Sequence, residues 1–501
     1  MAEHRIETDI AIIGGGAAGI TAALEARAAG ARAVLIEQDD ALGGTAATSG
    51  GGCFLVGTPL QEASGIQDTP DLAFEDWVAW GGGAADEVWA RYYIEHTLHD
   101  LYSWAEKHGV KWMDLKFQEG NRVFRWHRPD GNGFGLMKAL VASMYAHQAA
   151  DVFTGPRAER LLIDRGRVTG VRAVATPKTG ATNGVRPGDV LEVRSATVLV
   201  TTGGFNANLE MVLEARPDLR GRRIMEGSGL GATGSGHVML RDLGAYFTHM
   251  DEVWFYVYAT PDYLDPTERR GLVFRGTPGY VWVNQQGRRF HDESLTGGAS
   301  ASPALMRQDP PQAWAILDTP MTRTMGIADP YYQDAGRVRP DKVQELLDHS
   351  PYIKKANALD ELAKQIEVDV PTFVDEVDRY NRAFGAGLAR EPAFGKSLAE
   401  SKPFDTPPYY AIQLFPLARK NFGGVKTDLR CRVLDRFFEP IPGLYAAGEV
   451  AGMAGGHING KAGLEGTMLG PALFSGRVAG AWAAHEAGFG PGFIGRPNRP
   501  A

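Results

Sequence analysis

The chain opens with an apolar run that ends in glycine, Ile10-Ala11-Ile12-Ile13-Gly14-Gly15-Gly16-Ala17-Ala18-Gly19, and the next apolar run, Val34-Leu35-Ile36-Glu37, ends on an acid. No other feature restricts the possible folds as much. The first run reads as a buried strand, the alanine-rich stretch from about Ala17 to Ala29 as a helix, and the second run as the next strand of a βαβ unit. Gly14 permits the tight turn, Gly16 lets backbone approach a pyrophosphate, and Gly19 lets helix and strand pack closely. Ala17 and Ala18 start the helix, whose amides and positive dipole end suit phosphates. Glu37 stands where an acid binds a ribose hydroxyl. The strand–turn–helix–strand context predicts dinucleotide binding; the other reading is a tight βα turn of some different α/β protein.

A chain of 501 residues exceeds the size at which one core keeps growing, so two domains are expected. Glycine contributes 63 residues, above an average usage of roughly 7%, which suits backbone that must approach a large cofactor at many points. A net charge of −8 argues against a nucleic-acid surface. The two cysteines, Cys53 and Cys431, fit no disulfide framework, zinc knuckle, iron–sulfur set or haem attachment, and no metal site is expected. The polar start, Met1-Ala2-Glu3-His4-Arg5, fits no signal peptide, and no apolar run reaches membrane-span length. The expectation is a cytoplasmic protein, with peripheral membrane contact left open.

Further close-approach segments follow. The loop after Leu42 holds Gly43, Gly44, Thr45, Ser49, Gly50 and Gly51, too glycine-rich for a helix or a central strand. Apolar spacing predicts an amphipathic helix from Glu87 to Lys107, and several short strands from Ala158 to Val200 with a turn-rich excursion at Pro177–Gly188. The last of these strands runs into Thr202-Gly203-Gly204. Residues 251–418 carry many aromatics and a helical stretch from about Lys342 to Phe384, and read as an inserted domain. The chain then returns to a short strand ending in Gly448-Glu449, a glycine-rich loop, and a helix from about Gly466 to Ala484. The expected division is 1–250 and 419–487 as one discontinuous domain, 251–418 as the insertion, and 488–501 as a frayed tail.

Five segments in order resemble a known family: the opening fingerprint with Glu37, Thr202-Gly203-Gly204-Phe205, Gly231-Ala232-Thr233-Gly234-Ser235-Gly236, Val283-Asn284-Gln285-Gln286-Gly287-Arg288-Arg289-Phe290, and Gly443-Leu444-Tyr445-Ala446-Ala447-Gly448-Glu449. Together they are similar to the flavoprotein superfamily of fumarate reductases, succinate dehydrogenase flavoprotein subunits and 3-ketosteroid dehydrogenases. The resemblance spans nearly the whole chain. It implies an α/β protein with a discontinuous Rossmann-like FAD-binding domain, an inserted α+β capping domain and an active site between them. Relatives of the respiratory complexes attach FAD through a histidine in the loop after Gly43-Gly44; this loop has none, which implies non-covalent FAD.

The departures narrow the substrate. The family's proton-donating arginine falls on Gly297, its substrate histidine at the start of the cap on Tyr256, and a second arginine on Gly463 or Lys461. A dicarboxylate wants bidentate guanidinium partners, and an aromatic-rich cap wants a larger, less charged ligand. The segment Gly466-Thr467-Met468-Leu469-Gly470-Pro471-Ala472 is closer to ketosteroid-dehydrogenase-like desaturases, although the tyrosine of that loop is replaced by Ala462. The helix start at Gly466, Thr467 and Leu469 would stabilise the anionic reduced flavin, and Glu449 would bind the ribityl chain. Candidate catalytic residues are His457, as a substrate contact, and Tyr256 and Tyr258, as acids or carbonyl donors whose neighbours lower the phenol pKa. Each has a plainer reading, a backbone-bonded loop histidine and core aromatics. Tyr280, His291, His127, Arg128 and Lys461 are weaker candidates.

These observations point to an FAD-dependent oxidoreductase that desaturates a cyclic ketone by α-proton abstraction and β-hydride transfer to flavin N5. The alternatives are an ene-reductase on a non-dicarboxylate and a flavin-binding redox subunit without turnover of its own. The electron acceptor is left open among a quinone, a carrier protein and oxygen.

Overall fold

The computed structural model describes residues 2–176, 184–227, 229, 231–275, 279–296, 300–334, 337–399 and 401–493. Most of the excursion expected at Pro177–Gly188, the Gly297 position and the tail beyond residue 493 lie outside the described residues. The chain forms two compact units. One comprises Met1–Met211, Gly229–Val253 and Lys420–Ala501; the other comprises Val212–Ser228 and Trp254–Arg419. The second differs from the sequence division by taking in residues from 212 on. Within that unit, Met225 donates its N–H to Pro416 O (2.8 Å) and Ala418 donates to Met225 O (3.0 Å), so the segment is stitched to a strand distant in sequence.

The first unit is built on a mixed sheet. The strand Glu3–Ile13 lies between Ala33–Glu37 and Val190–Val200, and is parallel to both, with Ile13 opposite Ile36 and Val200. Pro440–Ala446 runs parallel to Val190–Val200, placing Ala446 opposite Val200, and Asp151–Thr154 runs parallel to Ala33–Glu37. The hairpin Pro156–Asp164 and Arg167–Ala175 joins antiparallel through Val190–Val200. The registers bring the carboxyl ends Ile13, Glu37, Val200 and Ala446 to one edge of the sheet. The glycine turns that follow Ile13, Glu37, Val200 and Ala446 leave from that edge, where open parallel sheets bind ligands. Ile10, Ala11, Ile12, Leu35, Val198, Leu199 and Leu444 are buried on both faces, which is why these strands read as continuous apolar runs.

The first helix (Ala17–Ala28) packs on the last helix (Leu469–Glu486). A Cβ on Gly476 would lie 2.2 Å from Thr21 Oγ1, and one on Gly480 would lie 2.3 Å from Ala22 O, so two glycines one turn apart set how closely the helices approach. The helix expected at Glu87–Lys107 appears as Glu87–His96, a wider π-type stretch Thr97–Tyr102, and Ser103–Lys107. The last helix starts at Leu469 rather than Gly466, because Thr467 donates both its N–H and its hydroxyl to Leu464 O (3.1 and 2.6 Å) and so forms a turn.

The second unit combines a sheet with helices. Val281–Val283, Ala313–Leu317 and Tyr409–Asn421 are consecutive antiparallel neighbours, and Val253–Pro261 lies on the far side of Tyr409–Asn421 next to Gly271–Arg275. The stretch expected as helical from Lys342 to Phe384 is three helices, Pro340–His349, Leu359–Gln365 and Val370–Gly385, interrupted by the strand Ile353–Ala356. Pro351 cannot extend the first of them, and the strand pairs with Tyr409–Asn421. In the longest helix Phe373, Glu376, Val377, Tyr380 and Ala383 are buried at helical spacing.

The Arg-Arg-Phe motif closes onto a buried charge network. Arg289 donates to both carboxylate oxygens of Glu293 (2.9 and 2.8 Å) and pairs with Glu391 (3.1 Å), while Lys396 lies 3.3 Å from Glu293. All four side chains are almost fully buried, and two cations against two anions leave the cluster neutral. Among the described residues no helix is long and apolar enough to cross a membrane.

Candidate functional site

The glycine edge of the first unit is tightly specified. Gly14 has φ +104°, and a Cβ there would lie 2.5 Å from Thr201 O; one on Gly19 would lie 1.9 Å from Gly14 O. Thr201, which the sequence reading did not single out, donates its hydroxyl towards Ile13 O and Gly14 O (2.9 Å each) and ties the turn to the neighbouring strand. Gly16 differs from its neighbours: a Cβ there meets nothing within 4 Å, and the same holds for Gly203. No side chain caps the first helix or the last. Their first N–H groups are therefore donors that the chain's own side chains leave for a ligand.

Glu37 accepts from Gly15 N–H (2.7 Å) and Asp39 N–H (2.9 Å), one bond on each oxygen. A carboxylate oxygen has a second lone pair, so each can still accept from a hydroxyl. Burial raises its pKa against these bonds. Gly43 N–H donates to Gly15 O (2.8 Å), and a Cβ on Gly44 would lie 3.3 Å from Gly16 Cα, so this pair stands directly against the fingerprint turn. Thr45 lies in a four-residue helix, Gly44–Ala47, where the sequence reading expected a loop too glycine-rich for one, and Gly229 packs on its hydroxyl. Ser49 Oγ accepts from Gly51 N–H (3.1 Å), Gly51 abuts the backbone of Asn132 and Gly133, and Gly50 stands between them in sequence.

At the second turn, Glu449 Oε1 accepts from Asn206 Nδ2 (2.9 Å) and Asn421 N–H (3.2 Å). Gly204 is squeezed against Glu449 and Asn421, where a Cβ would come within 2.6 and 2.2 Å. Gly448 donates its N–H to Ser475 Oγ (3.1 Å) and lies against Ala18. Thr202 Oγ1 and Asn206 Oδ1 are buried with no hydrogen-bond partner among the described residues. Open space over Gly16 and Gly203, two uncapped helix starts and orphaned buried polar atoms at one sheet edge fit an extended, polar, phosphate-bearing cofactor. Gly466 answers to packing: a Cβ there would lie 2.5 Å from Phe54 N.

His457 sits in the loop after Glu449, its ring half-buried. Thr248 Oγ1 is 3.0 Å from its Nδ1, and the His249 ring stacks on it at 4.2 Å between centroids and 13° between planes. Lys426 pairs with Asp86 nearby (2.7 Å), and Asp86 accepts Trp89 N–H as a helix cap. Burial, then the charges of Lys426 and His249, lower the His457 pKa to about 4 against the opposite pull of Asp86. The imidazole is neutral at physiological pH. Thr248, His249, Lys426 and Asp86 come from segments far apart in sequence, and no local signal marked them.

In the second unit Tyr256 and Tyr258 lie on the strand Val253–Pro261, every residue of which is buried. Their rings stack at 5.0 Å, as positions two apart on one strand face allow, and the Arg419 guanidinium lies 5.5 Å from the Tyr256 centroid. Tyr280 is half-buried, desolvation pushes its phenol pKa up, and its carbonyl accepts from Lys396. His291 stacks on Trp282 and bonds Leu295 O (2.8 Å). His127 is fully buried between Thr58 Oγ1 (2.7 Å) and Arg125 O (2.8 Å), so it serves the core rather than recognition. Arg128 is held by both oxygens of Asp114, and Lys461 is exposed. Among the described residues no three His, Cys, Asp or Glu side chains gather as a metal site.

Residues 9–469 match the FAD binding domain family. The chain belongs to that family and is an FAD-dependent oxidoreductase. A KsdD-like steroid dehydrogenase of Mycobacterium tuberculosis (strain CDC 1551 / Oshkosh) is 28% identical to it, the match covering 96% of each chain. A fumarate reductase (cytochrome) of Shewanella frigidimarina is 29% identical, over 95% of this chain and 77% of that one. The solved structure of the 3-ketosteroid-delta4-(5alpha)-dehydrogenase from Rhodococcus jostii RHA1, in complex with 4-androstene-3,17-dione, is similar with a TM-score of 0.69 at 27% identity, over 96% of this chain and 97% of that one. These matches fall in two of the three groups that the five motifs resemble, the ketosteroid dehydrogenases and the fumarate reductases.

Proposed function

We propose that the protein desaturates a cyclic, weakly charged ketone, using FAD held without a covalent bond. The discontinuous unit is then a Rossmann-like FAD-binding domain and the inserted unit its capping domain. The observation that carries the choice of substrate is the make-up of the glycine loop from Gly448 to Gly466: it contains no arginine, and its one imidazole is neutral. A dicarboxylate would need a guanidinium or an imidazolium there. The similarity to dehydrogenases named for ketosteroids supports the same direction.

Bound FAD supplies the acceptor for a hydride from the carbon β to the carbonyl. The turn Gly14–Gly19 and the first helix hold the pyrophosphate, and Glu37 accepts from the adenosine ribose. Glu449 accepts from the ribityl hydroxyls. The uncapped start of the last helix, at Leu469, would supply positive potential to the negative charge of a bound reduced flavin. Tyr256 and Tyr258 are the donors to the ketone oxygen, which acidify the α-hydrogen, and His457 handles the proton.

The test is anaerobic spectroscopy of the purified protein. A saturated cyclic ketone is expected to bleach the oxidised flavin band near ~450 nm. Bleaching by dithionite alone, with colour restored by the enone, would favour an ene-reductase. Indifference to every ketone and enone would leave a redox subunit without turnover of its own.

A further inference from the structure

We propose that Thr248 fixes His457 as its Nδ1–H tautomer, so that Nε2 is a lone-pair acceptor and takes the α-proton of the substrate; Thr248 and His249 are positioning residues for that ring. The identity of the proton rests on the functional reading above.

The argument begins with a count of hydrogens. Thr248 Oγ1 lies 3.3 Å from Gly456 O and 3.0 Å from His457 Nδ1. A carbonyl oxygen only accepts, and a hydroxyl has one hydrogen. With that hydrogen on Gly456 O, the hydroxyl accepts from the ring, and Nδ1 carries the N–H. A neutral imidazole has one N–H, so Nε2 keeps its lone pair. Nε2 makes no hydrogen bond to the described residues, and the ring is only half-buried.

The surroundings keep the ring neutral. Lys426 and the stacked His249 both disfavour a second positive charge; Asp86 favours one, but Lys426 and Trp89 N–H already hold that carboxylate. His249 is held by its backbone. It has φ +53°, and Gly423 crosses so closely that a Cβ there would lie 2.0 Å from His249 O. That crossing fixes the backbone from which the stacked ring projects.

The step balances. The C–H bond α to the carbonyl breaks, its proton goes to Nε2, and its electron pair enters the new C=C bond. Hydride leaves the β-carbon for the bound flavin, which is reduced as the ketone is oxidised to an enone. Nε2 then releases the proton to water.

The experiment uses holoenzyme labelled with 15N-histidine, the His457 signals being assigned by their loss in His457→Gln. At neutral pH, Nδ1 is expected at a protonated and Nε2 at an unprotonated shift. Thr248→Val should move the ring towards the Nε2–H form and lower kcat by roughly 10- to 100-fold with KM little changed. Thr248→Ser should restore both. An Nε2–H tautomer in the unaltered protein, or a Thr248→Val protein unchanged in both shifts and kcat, would overturn the proposal. Failure of the functional reading looks different: no ketone would reduce the flavin while the 15N pattern stood, and the assigned α-proton would fall with it.

Discussion

Gly16→Val is expected to give a protein that folds and does not hold FAD. At this position φ is −80° and ψ −166°, which any residue adopts, and a Cβ meets nothing within 4 Å. The added side chain enters the space over the first helix, where the pyrophosphate would lie. FAD affinity should fall by at least about a hundredfold, or ~2.8 kcal/mol. The readouts are the flavin-to-protein absorbance ratio and the melting temperature, the second compared with the apo form of the unaltered protein. Gly19→Val is the contrast. Its Cβ would lie 1.9 Å from Gly14 O and 2.8 Å from Thr201 Oγ1, so the strand–helix contact itself must open, and folding should suffer along with binding. Normal FAD retention by a folded Gly16→Val protein would remove the fingerprint from the cofactor site.

The second large effect is Glu293→Leu. The substitution leaves Arg289 with Glu391 but strands the buried Lys396 ammonium, and breaking a buried pair in this way costs about 3–5 kcal/mol. In a unit of this size that is a fall of roughly 6–20 °C in melting temperature. Adding Lys396→Met removes the stranded charge and should recover a large part of the loss. A double variant no more stable than the single would place the cost elsewhere. The same carboxylate predicts acid sensitivity. Burial pushes the Glu293 pKa up, but Lys396, Arg289 and the hydrogen bonds it accepts more than offset this and hold it below the usual glutamate value. Its folded pKa is therefore depressed. The stabilisation is complete above the unfolded pKa, about 4.3, and is lost as pH falls through the folded one. Glu293→Gln should flatten the acid limb of a melting-temperature profile; an unchanged limb would assign it to other carboxylates.

The fingerprint was legible because its causes are local. Gly14 needs a positive φ, and Gly19 needs to be small, because of atoms one turn away or on a neighbouring strand. The stretch expected as helical from about Lys342 to Phe384 holds the helix Val370–Gly385, whose buried positions recur at helical spacing. The break at Ile353–Ala356 was not legible. That segment is a strand because Tyr409–Asn421, far along the chain, offers it an edge. An added Cβ would meet protein backbone at Gly51 and Gly466 but open space at Gly16. A glycine in a sequence announces close approach without saying to what.

By itself the sequence determined the class of cofactor, the parallel strands that carry it and the order of the segments around it. Each of these follows from residue type and spacing over a few turns of chain. Only the tertiary structure decided that His457 is neutral, that Thr248 and His249 contact its ring, and that His127, a weaker candidate in the sequence, is a core residue. The physical reason is range. A histidine's charge and tautomer depend on desolvation and on charges a few ångströms away. Those neighbours, Lys426, Asp86, Thr248 and His249, arrive from distant parts of the chain only when it has folded.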